Sequence, residues 1–390
     1  MTQEIKLGLV GYGTFTEEGG RGSGLLKLAA NMFEGVRAVS ICDTNPRALD
    51  QARKAFPNAK HYEDFDAMLK DVPMDALLIE TPASLHAEFV IKALERNIHV
   101  LSDIPTVHTL EEAWALWAAQ QKSKAFYMTG ANANLKGFWD AAVDLKKKGL
   151  FGDPIYVEAA YIHDCRSLWK NTPWRHPSAA NPRLPIQYCT HSLGPVLRLL
   201  DEDLEWVSCF DTGSHINKAQ GQHDVMAALF RTKNNVVVRL LVSFINNYLA
   251  GGHAYRFFTT KGCFERTPNY RTFRKEVVES ARTLFYTTDL PDLFNNWIEL
   301  PIGDTPVAVA ANPKAMAAGH GGVDYAMMDV FVKAIRAGGP SPISLREGLR
   351  MTLPGIYAAE SARKGGQLMH MEYPWTAAQP PALDTPVNAS

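Results

Sequence analysis

Residues 7–26 read LGLVGYGTFTEEGGRGSGLL. The stretch leaves an apolar run, IKLGLVG at 5–11, passes through a glycine-rich turn and enters a second apolar run. Gly11 and Gly13 suit a tight turn that another group can approach closely. A helix beginning just beyond them would offer free N–H groups to an anion such as a pyrophosphate. The third glycine of the usual spacing is missing, because position 16 is Thr, and glycines return only at 19, 20, 22 and 24. The turn is therefore lengthened by several residues. A lone Gly-x-Gly marks many ordinary turns, so its weight comes from its surroundings.

Those surroundings alternate. Short apolar runs at 5–11, 37–43, 76–82, 99–103 and 125–130 are separated by amphipathic stretches such as NPRALDQARKAF and SLHAEFVIKALERN. TLEEAWALWAAQQK opens with Thr109 as a cap and Glu112 three positions on, a capping-box pattern. Strands alternating with helices of this length predict right-handed crossovers and a parallel sheet covered on both faces. The expectation is a doubly wound Rossmann domain over 1–130. Asp43 closes the second strand, where a carboxylate can hold both adenosine ribose hydroxyls and repel a 2′-phosphate. Thr44, Asn45 and Pro46 follow it, with no Arg, which favours NAD over NADP; the plainer alternative is that Asp43 caps the helix beginning at Pro46.

Beyond residue 131 the rhythm changes. A helix over about 134–149 is followed by longer alternating runs, PIYVEAAYIHD, EWVSCFDTGS, DVMAALFRT, NVVVRLLVSFINNY and AYRFFTTKGCFE, with TKNN as a hairpin turn. Consecutive strands without intervening helices predict an α+β domain over 131–375 built on a large, mostly antiparallel open sheet. Helices near 323–337 and 345–365 close it, and the Pro-rich tail 376–390 reads as loosely ordered.

Composition bounds the partners. Hydrophobic residues make up 46% and charged residues 21%, and 40 Lys plus Arg against 41 Asp plus Glu leave a net charge of −1. That balance argues against nucleic acid or an anionic membrane as main partner. Cys42, Cys165, Cys189, Cys209 and Cys263 are odd in number and have no Cys-x-x-Cys spacing, so neither a disulfide framework nor a metal site is expected. The amino terminus carries no signal-peptide pattern and no apolar run is of membrane-spanning length. The expectation is a cytoplasmic protein.

The series GxG, CD, TP with a later His, and HVL-x-x-x-P resembles the Gfo/Idh/MocA family, and the resemblance runs on through FGDPIYVEAAY, TTKGCFE and GHGGVDYAMMDVFVKAIRAGGPSPISLREGLR. It implies NAD as cofactor and an open sheet that forms homo-oligomer contacts, as a dimer or tetramer. Most of the family's dehydrogenases carry Glu-Lys-Pro where this chain has Asp103-Ile104-Pro105, and their Asp four before a histidine is here Gln187. Both departures, with AAYIHDCR (159–166), Trp174-Arg175, YCTHSLGPV (188–196) and HGGVDY (320–325), are similar to the NAD-dependent glycoside hydrolases of family 109.

That resemblance implies a cycle without net redox change: oxidation at sugar carbon 3, removal of the acidified carbon-2 proton, elimination of the anomeric group, water addition and re-reduction. It places Gly11, Gly13, Gly22, Asp43, Thr81, Pro82, His86, Asp103 and Asn132 around NAD. Tyr188 is the implied base for the carbon-2 proton, and His191 the partner of the carbon-3 hydroxyl in place of the missing lysine. Tyr161 and His163 are implied to assist catalysis; Asp164, Arg166, Trp174, Arg175, His320 and Asp324 to hold the carbohydrate. From the residues alone, Tyr188 could plug an interface and His191 bond a carbonyl near the start of a helix in which Pro195 takes the first turn and Thr190 or Ser192 the cap. His86 likewise reads as a helix-start histidine. The competing functions are an NAD-dependent sugar or cyclic polyol dehydrogenase, and a catalytically silent sugar- or nucleotide-binding regulator.

Overall fold

The computed structural model of the chain describes residues 3–14, 19–168, 172, 176, 183–216, 223–246, 253–267, 270–271, 277–279, 281–289, 297–310 and 312–383. In chain order it begins β1 (Ile5–Val10), α1 (Arg21–Met32), β2 (Val36–Cys42), α2 (Pro46–Ala55), β3 (Lys60–Tyr62), α3 (Phe65–Asp71), β4 (Ala76–Ile79) and α4 (His86–Leu94). Then come β5 (His99–Ser102), α5 (Leu110–Lys122), β6 (Tyr127–Thr129), α6 (Gly137–Lys147), β7 (Pro154–Ile162), α7 (Thr190–Leu200), β8 (Leu204–Asp211), β9 (Met226–Thr232) and β10 (Val237–Ser243). Strands β11 (His253–Thr259), β12 (Gly262–Arg266), β13 (Tyr270–Arg271), β14 (Val277–Glu279), β15 (Thr283–Thr287) and β16 (Ile298–Leu300) follow. The chain closes with α8 (Val307–Ala310), α9 (Pro313–Met316), α10 (Val323–Ala337), α11 (Leu345–Arg363) and β17 (Met369–His370).

The chain divides into two units. The first, Met1–Asn132 with Ala308–Leu349, holds a six-stranded sheet in the order β3-β2-β1-β4-β5-β6, with every pairing parallel. Parallel strands are covered on both faces, so they read as unbroken apolar runs; Ala76–Ile79 are all fully buried. The Thr109–Glu112 capping box forms as its spacing predicts. Helix α10 falls in this unit, whereas the sequence reading put residues 308–349 with the second domain. Its buried stripe explains the placement: Tyr325 stacks on Phe33 at 5.0 Å, and Phe331 meets Phe126 edge-on at 5.9 Å.

The second unit, Ala133–Val307 with Arg350–Ser390, holds a nine-stranded sheet in the order β16-β15-β12-β11-β7-β10-β9-β8-β17. The β7–β10 pair is parallel and the rest are antiparallel. The predicted turn at 232–235 joins β9 to β10, with Asn235 in the left-handed conformation (φ 64°) that asparagine tolerates. Burial alternates along β9, with Ala227, Leu229 and Arg231 exposed between buried neighbours. One face of the sheet therefore packs on the core. In the tail, the Thr376 and Ala377 amides still bond the Tyr373 carbonyl, and residues 384–390 lie outside those described.

Candidate functional site

In the first unit the glycine turn is built as a cradle. Gly11 adopts φ +90°, and a Cβ there would lie 2.5 Å from the Glu80 carbonyl oxygen, so the β1 turn passes against the end of β4 in a way only glycine allows. The missing third glycine is supplied by Gly22. A Cβ on it would lie 2.0 Å from the Gly11 carbonyl oxygen, which lets α1 start flush against the turn. The Gly20 and Ser23 amides both donate to the Tyr12 carbonyl, at 3.3 and 3.1 Å. Gly13 and Gly20 approach closely: a Cβ on Gly13 would lie 3.1 Å from the Gly20 Cα.

Asp43 sits beside this cradle. Its carboxylate accepts the Gly13 amide at 3.0 Å and the Asn45 amide at 2.9 Å. Helix α2 is capped by Asn45, which accepts from the Arg47 amide at 3.0 Å, so Asp43 is not used as the cap. The Tyr12 and Thr81 hydroxyl oxygens are buried and have no hydrogen-bond partner. A glycine cradle at a helix start, a carboxylate closing the second strand and orphaned hydroxyls beside it fit a dinucleotide. His86 is buried, and its ring nitrogens lie 2.8 Å from the Pro105 carbonyl and 2.9 Å from the Thr81 carbonyl. It braces the loops after β4 and β5, so any effect on a cofactor passes through Thr81, Pro82 and Asp103.

Around Asp103 lies a cluster that sequence reasoning only half found. Arg21, the first residue of α1, is shared by Glu80 (3.3 Å), Asp103 (3.5 Å) and Asp324 (3.3 Å). Asp324 also accepts from Asn132 at 3.0 Å and pairs with His320 at 2.8 Å. His320, the Arg21 guanidinium and Asn132 hold the Asp324 carboxyl far below the usual carboxylate range against the opposing effect of burial. Burial, then Asp103, pushes the Glu80 carboxyl well above that range, with Arg21 opposing. Neither Arg21 nor Glu80 was singled out from sequence; both sit where an apolar strand or a glycine run meets a helix, and a charged residue there was the available signal.

In the second unit the structure brings together four residues singled out from sequence. Tyr188 ends a short 3₁₀ turn, Pro185–Tyr188, and His191 stands in the first turn of α7. The turn lies close to α11 because residue 355 is glycine: a Cβ there would be 2.7 Å from Cys189 Sγ and 2.9 Å from the Ile186 carbonyl oxygen. Gln187 folds back to accept the Leu184 amide at 2.8 Å. The Tyr188 and His191 rings meet edge to face at 5.6 Å, and Tyr161 stacks on Tyr188 at 6.0 Å with the planes 29° apart. His163 Nδ1 is 3.2 Å from the Tyr161 hydroxyl; burial pulls His163 toward its neutral form, with Asp164 opposing.

Two members of this group were missed. His253 is the cross-strand partner of Tyr161 in the β7–β11 ladder, and its ring lies 6.0 Å from that of His191. Burial first, then Lys136 and the neighbouring histidines, lowers its pKa well below the usual value. Two residues along β11, the Tyr255 hydroxyl donates to the His191 carbonyl at 2.9 Å. That carbonyl is available because Pro195 stands four residues later and has no N–H to offer it. Pro195 is thus the sixth residue of α7, not in its first turn as expected, and neither Thr190 nor Ser192 caps the helix; both hydroxyls are buried without a partner. The alternation of His and Tyr in HAYRFF placed both on one strand face, but nothing local said which residues they would meet.

Asp164 bonds Arg166 through the backbone amide (3.1 Å) and the guanidinium (2.9 Å from Nε), which lowers its pKa. Trp174 and Arg175 lie outside the described residues. None of the five cysteines is in a disulfide. Among the described residues no group of three or more His, Cys, Asp or Glu could hold a metal ion, and no helix is long and apolar enough to cross a membrane.

Glycosyl hydrolase family 109 protein 1 of Bacteroides fragilis is 25% identical over 379 residues, covering 86% of this chain and 78% of the relative. A family 109 protein of Saccharopolyspora erythraea is 23% identical over 93% of this chain and 81% of its own length. The fold is shared with the WlbA dehydrogenase of Bordetella pertussis, solved with NADH and UDP-GlcNAcA (TM-score 0.75, 18% identity, 95% of this chain and 99% of that one). Residues 5–131 match the oxidoreductase family, NAD-binding Rossmann fold, of the GFO/IDH/MocA group, and residues 139–265 match the GFO/IDH/MocA C-terminal domain. The chain belongs to the GFO/IDH/MocA oxidoreductase family, and its first unit is an NAD-binding Rossmann domain.

Proposed function

We propose that this protein is a redox-neutral, NAD-dependent glycoside hydrolase. The observation that carries the reading is the Tyr161–His163–Tyr188–His191 cluster. It gathers phenols and imidazoles, whereas an ordinary glycosidase needs two carboxylates flanking the scissile bond. Asp164, the carboxylate next to His163, is already held by Arg166. Similarity to glycosyl hydrolase family 109 proteins supports the same reading.

NAD, when bound, supplies a hydride acceptor for carbon 3 of the sugar and returns the hydride at the end of the cycle. His191 takes the proton of the carbon-3 hydroxyl, a task Ile104 cannot perform. Oxidation at carbon 3 acidifies the neighbouring carbon-2 hydrogen, and Tyr188 removes that proton as the anomeric group leaves. Tyr161 and His163 hold the sugar and deliver a proton to the departing oxygen; water then adds at carbon 1 and Tyr188 returns a proton to carbon 2, before carbon 3 is reduced and its oxygen regains the proton held by His191. Asp164 and Arg166 contact its hydroxyls. Asp324, already bonded to Arg21, His320 and Asn132, serves the Arg21 cluster more directly than the sugar.

The purified protein should cleave an aryl glycoside without NADH accumulating, and in deuterated water the released sugar should carry deuterium at carbon 2. Steady NADH formation from a free sugar or cyclic polyol, with no aryl glycoside cleavage, would overturn the reading in favour of a net dehydrogenase. We propose also that the open sheet face carrying Phe210, Leu229 and Phe258, each exposed, is covered in a homo-oligomer. Leu229→Glu should then lower the mass seen by light scattering, and an unchanged mass would refute that contact.

A further inference from the structure

The Arg21 cluster carries more negative than positive charge at one end of the cofactor-binding sheet. Glu80 follows β4, Asp103 follows β5 and Arg21 opens α1, so all three stand at the carboxyl edge of the parallel strands. A dinucleotide lies along that edge, with its adenosine ribose at the acid after the second strand and its pyrophosphate at the first helix. Here those points are Asp43 after β2 and the start of α1, beside β1. With β4 and β5 on the opposite side of β1 from β2, the nicotinamide half of a bound dinucleotide would extend toward Glu80 and Asp103.

At that end one guanidinium serves three carboxylates. The side chain of Glu80 is 3% exposed and that of Asp324 7%, so neither is screened as a surface charge would be. Ile104, next in the chain after Asp103, is buried and brings no charge. His320 pairs with the far side of the cluster through Asp324 and is itself largely exposed. The charged and titratable groups facing Glu80 are thus Arg21 from α1, Asp103 from the β5 loop and Asp324 from α10.

We propose that this cluster makes the protein discriminate between the two redox states of its cofactor, binding NAD⁺ in preference to NADH, with Glu80 as the specificity-determining residue. The oxidised nicotinamide is a cation; accepting a hydride makes it neutral, so only the oxidised form gains from a surplus of buried negative charge. Glu80 shares the Arg21 guanidinium with Asp103 and Asp324, so one cation stands against three carboxyl groups. A pyridinium beside them would add a second positive charge, which the neutral reduced ring would not.

The test is equilibrium binding by the full-length protein stripped of nucleotide, with NAD⁺ and NADH titrated separately. The wild type should bind NAD⁺ more tightly than NADH. Glu80→Gln, an uncharged near-isostere, should weaken NAD⁺ by about tenfold, the scale of one unit charge at several ångströms in a partly buried site, and leave NADH within about twofold. If Glu80→Gln fails to fold, Asp103→Asn should narrow the preference in the same direction. Equal affinity of the wild type for both nucleotides, or equal loss of both in a variant of unchanged melting temperature, would overturn the proposal. The readout is binding alone, so it stands or falls separately from the glycosidase reading.

Discussion

Tyr161 and His253 face each other across the β7–β11 ladder with ring centroids 4.0 Å apart and planes 7° from parallel. The contact fixes the Tyr161 ring beside those of Tyr188 and His163, and it confines His253 to a site that disfavours the imidazolium. The folded-state pKa of His253 lies below its unfolded value. Its contribution is therefore fully present above about pH 6.5, the ordinary histidine value, and is lost as pH falls below that, because the unfolded chain takes up the proton first. His253→Gln should flatten the stability profile between about pH 5 and 6.5. Denaturant titrations at several pH values would show it, and parallel profiles for wild type and variant would refute it.

Tyr188 and His191 should be separable from folding. His191→Ala and Tyr188→Phe are each expected to lower aryl glycoside cleavage by roughly 10²–10⁴-fold, the range for loss of a positioned acid or base. Melting temperatures should stay close to wild type. Retained turnover in either variant would remove that residue from the mechanism.

Tyr255 holds the start of α7 through the carbonyl that Pro195 leaves open. Tyr255→Phe should cost about 1–3 kcal/mol, because the His191 carbonyl loses its donor inside the fold. Pro195→Ala restores an N–H at the helical position and should recover part of that loss in the double variant. A double-mutant cycle in urea measures the coupling, and strictly additive effects would argue against it.

Gly22→Ala should disturb the cofactor cradle at its tightest point. The added methyl meets the Gly11 carbonyl oxygen at 2.0 Å, so α1 must move, at about 1–3 kcal/mol. NAD affinity should fall together with the unfolding midpoint. Gly24→Ala, inside α1 where a Cβ meets nothing within 4 Å, is the control: NAD affinity should hold while the unfolding midpoint rises slightly, by about 0.5–1 kcal/mol of helix preference.

How much of this was legible beforehand follows from the range of each interaction. The parallel sheet could be read because its strands are apolar throughout and its helices amphipathic, and the Thr109–Glu112 cap is a contact between residues three apart. Asp43 and the glycines were readable from their places at the ends of the runs that form β2 and β1. His253 and Tyr255 were not, since their meaning lies in partners on β7 and α7 more than sixty residues away in the chain. Likewise the Arg21 cluster joins residues from 21 to 324; each alone looks like a surface charge, and only the fold shows one cation divided among three acids. The placement of α10 in the first unit was hidden too, because an apolar stripe on a helix does not say what it covers.

The close approach of Gly13 and Gly20 gives the lengthened turn a property of its own. Its two ends are pinned together by backbone contacts and by the amides of Gly20 and Ser23 on the Tyr12 carbonyl. The glycine turn and the start of α1 are therefore held together by contacts of their own. A change in the number of residues between positions 14 and 19 would leave those contacts in place, so the register of α1 against β1 is set by Gly13, Gly20 and Ser23 themselves.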